Sequence, residues 1–153
     1  MTEQSVAPAV GAIDDLDSAP NPFMAVIAGT AAMLIGAAVW AAVSYFTNYQ
    51  IGWMCIGIGF LIGWSIRKFG HGNSMAYGLL GGGLALVAVV LGNLLFYSGV
   101  IAAQEGMSFV EVLFLMLISP VSTLEIFAEA FEFIDLLFYA LAVYTGFRYS
   151  FQG

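Results

Sequence analysis

MAYGLLGGGLALVAVVLGNLLFYSGVIAA, residues 75–103, decides what kind of fold this chain can have. The stretch contains no Asp, Glu, Lys or Arg, and it exceeds the roughly 20 apolar residues that a helix needs to cross the hydrocarbon core of a bilayer. Unpaired backbone groups are too costly in lipid for any open structure, so such a run is read as a transmembrane α-helix. The rest of the chain agrees in composition. Of 153 residues, 61% are hydrophobic and 8% charged, and the mean hydropathy is +0.96. That places the chain among integral membrane proteins.

Working outward from this run, Asn21 as a cap and Pro22 at the first helical position open an earlier apolar segment, 23–46. A polar turn over 47–50 leads to a glycine-rich segment, 49–66, with Tyr49 and Gln50 added to its short apolar core and Arg67 and Lys68 stopping it. On the far side of residues 75–103, SFVEVLFLMLISP offers only about eleven apolar residues before Pro120, about 16 Å as a helix and too short to span. It is expected to lie on the membrane or dip into it as an interfacial or re-entrant helix, 109–119. Ser108 with Glu111 has capping-box spacing, and Ser122 with Glu125 repeats it. A last helix is expected from about Thr123 to Tyr149, with its spanning part over 131–149. The expected fold is all-α: an integral membrane bundle of four transmembrane helices with the short helix between spans three and four, and an acidic disordered tail over 1–20. A five-span arrangement would have 109–128 cross, burying Glu111 and Pro120 and moving Arg148 outside.

Charge sets the orientation. In the four-span arrangement Arg67, Lys68 and Arg148 fall on one side with both termini, and the positive-inside rule makes that side cytoplasmic. Glu105, Glu111, Glu125, Glu129, Glu132 and Asp135 gather toward the other side. The chain is expected to cross its membrane several times. The net charge of −7 leaves no basic patch for nucleic acid, so lipid and other membrane proteins are the expected partners. The first twenty residues lack the basic n-region and apolar core of a cleavable signal. Cys55 has no second cysteine to pair with, and it is expected to pack as a small buried residue.

Small residues recur along single helix faces: Gly52, Cys55, Gly59 and Gly63; Gly78, Gly82, Ala85 and Gly92; Ala25, Gly29, Ala32 and Gly36. Such stripes let helix backbones approach closely. Asn93, deep in the third span, is expected to hydrogen-bond to another helix. Gly52, Gly59, Gly63, Gly78, Gly82 and Asn93 are the expected packing positions. His71 stands between glycines near Arg67 and Lys68, without a second His or Cys to form a metal site. The aromatic residues are read as belt and packing groups, and neither Trp40 nor Trp64 is assigned to a site.

The acidic stripe is the candidate for chemistry. On one continuous helix Glu125, Glu129, Glu132 and Asp135 fall within an arc of about 120°, leading into the membrane as a candidate proton or cation site. Hydrolase signatures such as H-E-x-x-H and G-x-S-x-G are absent from the sequence, and neither an enzyme activity nor a cofactor is expected.

Two quoted stretches, YQIGWMCIGIGFLIGWSIRKFGHG over 49–72 and IDLLFYALAVYTGFRYS over 134–150, resemble an uncharacterised bacterial four-helix polytopic membrane protein family. That resemblance covers about a third of the chain. It implies a bacterial setting, and with it an inner-membrane location, and brings no reaction, substrate or cofactor. The expected function is a non-catalytic membrane scaffold or accessory subunit that packs through its small-residue faces and engages a partner protein, or assembles as a homo-oligomer. The alternative is a small oligomeric proton- or cation-coupled transporter or channel using Asp135 and Glu132.

Overall fold

In the computed structural model, which describes residues 19–50 and 52–151, the chain is all-α. The described residues form six helices: α1 (Pro22–Thr47), α2 (Trp53–Gly70), α3 (Met75–Glu105), α4 (Phe109–Ile118), α5 (Pro120–Ala130) and α6 (Phe133–Phe151). The expected acidic tail lies outside the described residues, apart from its last two positions.

Local signals fix most helix ends. Asn21 caps α1 by accepting a hydrogen bond from the Met24 N–H at 3.1 Å, with Pro22 at the first turn. The Asn21 N–H also donates to the Gly70 carbonyl at 2.7 Å, which joins the start of α1 to the end of α2. Gly106, at φ +67°, closes α3 in the left-handed conformation that glycine adopts at little cost. At α4 the capping box forms in full. Ser108 Oγ accepts from the Glu111 N–H, and the Glu111 carboxylate accepts from the Ser108 N–H, both at 3.2 Å.

Other expected features differ. Helix α2 begins at Trp53 and runs through Arg67 and Lys68 to Gly70, so the two cations form its last turn. There they face the negative end of the helix dipole. The second capping box is absent because Pro120 already stands at the first helical position of α5 and Ser119 occupies the cap; Ser122 therefore lies inside the helix. Nor does one helix run from Thr123 to Tyr149. Helix α5 ends at Ala130, the backbone of Phe131 is extended at φ −75°, ψ 121°, and α6 starts afresh at Phe133. Asp135 stabilises the new start, its Oδ2 accepting from the Glu132 N–H at 2.9 Å.

Helices α1, α2, α3 and α6 pack side by side. The pairs Gly70 with Ala25 and Gly36 with Ile58 set α1 against α2 in antiparallel sense. Gly52 with Phe138 and Gly63 with Tyr149 make α2 parallel to α6, and Gly78 with Phe147 and Gly82 with Val143 make α3 antiparallel to α6. The core between them includes Trp40, Cys55, Ile58, Ile62, Ile66 and Val89. A separate small cluster of Ala102, Val112 and Met116 fastens α4 to the end of α3.

Helices α1 and α3 are long and apolar enough to cross a membrane. The pair α4–α5 qualifies only jointly and bends by 103°, so a third crossing would be a broken or re-entrant one. Helices α2 and α6 have 18 and 19 residues and carry Arg67, Lys68 and Arg148 in their last turns. Their polar ends dilute the apolar segment, leaving two to three crossings by length and composition where four were expected.

Candidate binding face at the acidic end

Helix direction sorts the charges. Arg67 and Lys68 end α2 and Arg148 lies in the last turn of α6, so these cations share the end of the bundle where α1 and α3 begin. At the opposite end are the last turn of α3 with Glu105, the α4–α5 hairpin, and the start of α6. Every acidic residue among the described positions belongs to that second end.

A cavity of about 450 Å³ opens there and reaches toward mid-bundle. Its mouth is set by Gln50, Trp53, Glu132 and Asp135 and its inner part by Trp40, Asn93 and Tyr139. The volume lies within the usual range of small-molecule sites, roughly 300–1,000 Å³.

Each wall has a packing cause. The ring of Trp40 fits over Gly92, where a Cβ would stand 2.5 Å from Trp40 Cε3. The ring of Phe138 fits over Gly52, where a Cβ would collide with it. Asn93 is buried and donates from its amide to the Tyr139 hydroxyl, linking α3 to α6. Having accepted that bond, the tyrosine retains its own proton to donate. Trp40 is only 5% exposed, and its indole N–H has no hydrogen-bond partner among the described residues. Ser44, one turn further along α1, is likewise buried with an unpartnered hydroxyl. Two unpartnered buried polar groups on one helix face are unusual, since such groups are nearly always satisfied.

The acidic stripe divides. Glu132 and half-buried Asp135 line the cavity, whereas Glu125 and Glu129 are exposed on α5, a different helix. The expectation of four carboxylates on one continuous face is therefore corrected: the break at Phe131 and Glu132 removes the shared helix. Asp135 uses one carboxylate oxygen to hold the start of its own helix. Among the described residues no group of three or more His, Cys, Asp or Glu is placed to hold a metal ion.

The expected packing positions sit where backbones meet. A Cβ on Gly59 would lie 2.5 Å from the Ala142 carbonyl oxygen, one on Gly63 2.6 Å from Tyr149 Cβ, and one on Gly78 2.8 Å from the Phe147 ring. At Gly82 the nearest atom, the Val143 carbonyl oxygen, would be 3.3 Å away. Sequence reading missed the other half of this contact. Ala142, Gly146 and Ser150 form a buried small-residue stripe on α6, and a Cβ on Gly146 would lie 2.5 Å from the Gly81 carbonyl oxygen. Their four-residue spacing was the available signal. Reading Trp40 as a packing group also left out the site, because its polar neighbours arrive from other helices. Cys55 is buried and unpaired as expected, and His71 is an exposed residue at the end of α2. The chain matches no protein-family model, no curated protein and no solved structure.

Proposed function

We propose that the chain is a four-span, non-catalytic membrane subunit of a bacterial inner membrane that engages a partner protein through its acidic end. The observation that carries this reading is the state of α5, which has no buried residue. A helix of that kind, joined to the bundle only through the small cluster around Ala102, Val112 and Met116 and by edge contacts such as Tyr97 with Phe127, gains little stability from its own packing. Its surface combines apolar Val121 and Leu124, 69% and 66% exposed, with exposed Glu125 and Glu129. That mixture suits a protein surface at the membrane interface better than the lipid core.

Four crossings require α2 and α6 to span as well. At about 1.5 Å per residue they reach roughly 27 and 28 Å, close to the 30 Å hydrocarbon thickness, with terminal cations snorkelling. The shared direction of the three cations supports cytoplasmic placement of that end.

Photocrosslinking side chains placed at Val121 and at Leu124 in intact cells test the partner. The control position is Leu79, 63% exposed near the other end of the bundle. The expected result is a discrete protein adduct at both α5 positions and none at Leu79. Lipid adducts alone at all three positions would overturn the proposal.

A further inference from the structure

The cavity combines features that do not belong to a lipid-filled gap between helices. Its walls include the aromatic side chains of Trp40, Trp53, Phe138 and Tyr139, and its mouth carries the carboxylates of Asp135 and Glu132. No Lys, Arg or His lines it. Aromatic faces and carboxylates attract the same class of guest, because the negative face of a π-system and a carboxylate both favour a cation. A bare metal ion is a poor match, since the described residues offer no cluster of metal ligands and aromatic walls cannot replace a tightly held hydration shell. An anion would be repelled by the mouth.

The inner part of the cavity is closed by an aromatic ring. Trp40, 5% exposed, supplies that ring. We propose that this cavity binds a small organic ammonium ion, its cationic head held between the aromatic side chains and the Asp135 and Glu132 carboxylates and its body reaching toward Trp40. This goes beyond the partner-binding reading and is separable from it, because α5 contributes to the cavity wall only its last residue, Ala130, whereas the proposed partner surface is the exposed Val121 and Leu124 face of α5.

The test uses the full chain in maltoside micelles, titrated with benzyltrimethylammonium and, in parallel, with its uncharged carbon isostere neopentylbenzene. Binding is read from tryptophan fluorescence and checked by calorimetry. Saturable binding of the ammonium ion is expected, with the isostere at least tenfold weaker. Asp135→Asn retains an oxygen that can accept the Glu132 N–H, so it preserves the helix start while removing charge; it should weaken ammonium binding about tenfold and leave the isostere unchanged. Trp53 is 78% exposed, so Trp53→Ala tests the aromatic contribution in a variant that keeps its core, with a loss of about fivefold expected. Equal affinity for the isostere, or no saturable ammonium binding up to millimolar concentration by folded wild-type protein, would overturn the proposal. So would unchanged ammonium affinity in both variants.

Discussion

At Gly59 the backbone of α2 runs so close to α6 that a methyl group would stand 2.5 Å from the Ala142 carbonyl oxygen, with Gly146 N at 3.1 Å. The Thr145 hydroxyl also blocks the position, and the two backbone atoms cannot swing aside, so the helices must separate to admit it. Gly57, two residues earlier on the same helix, has nothing within 4 Å of the corresponding position. The pair isolates packing from helix propensity. Gly59→Ala is expected to cost about 1–3 kcal/mol through overpacking, whereas Gly57→Ala should be neutral or gain up to about 1 kcal/mol because alanine is the better helix former. Reversible unfolding in mixed micelles measures both, and equal effects would show that close approach at Gly59 is not what holds the pair together. The stripe containing Gly59 was legible in the sequence because it repeats along one helix. The polar contact between Asn93 and Tyr139 was legible only on one side: a buried Asn announces that it needs a partner, while a Tyr in an apolar helix looks like any other packing residue.

Among the elements, the helix ends differ in how much of their cause is local. The box at α4 needs only Ser108 and Glu111, three residues apart, and the sequence displays both. Ser108→Ala should therefore cost about 1 kcal/mol, read as faster amide exchange over the first turn of α4 with exchange in α1 unchanged. The bend between α4 and α5 is also local in origin. Pro120 has no N–H to continue the helix, and the Thr123 hydroxyl donates to the Met116 carbonyl at 2.6 Å, satisfying a group that the break leaves open. Pro120→Ala is expected to restore a donor and reduce the 103° bend, seen as a longer spin-label distance between Phe114 and Leu124; an unchanged distance would assign the bend to packing instead. The separation of α5 from α6 was not legible. Phe131 and Glu132 include neither Gly nor Pro, and the acidic spacing fits a continuous helix as well as it fits a broken one. The extended backbone of Phe131 and the Asp135 carboxylate accepting from the Glu132 N–H distinguish the two.

For the whole molecule, the same break alters what the acidic residues do together. A continuous stripe would lead carboxylates down one helix into the membrane; the broken arrangement leaves Glu125 and Glu129 on an exposed hairpin and turns Glu132 and Asp135 toward a cavity shared by α1, α2, α3 and α6. That cavity was not legible because its groups lie far apart in sequence and meet only through the packing of small residues such as Gly52 and Gly92. The direction of the bundle, by contrast, follows from a simple pattern: Arg67, Lys68 and Arg148 lie at one end and the acids at the other. If α2 and α6 span together with α1 and α3, the loop containing Ser74 faces the cytoplasm and the start of α4 faces outward. Single cysteines replacing exposed Ser74 and Ser108 should then report opposite sides to a membrane-impermeant thiol reagent, because buried Cys55 contributes little background. Labelling of Ser108→Cys in intact cells, with Ser74→Cys labelled only after permeabilisation, is the expected outcome. If both positions label from the same side, α3 does not cross and the four-span reading fails. If the pattern is reversed, the bundle crosses but its cations face outward, against the charge rule that orients it.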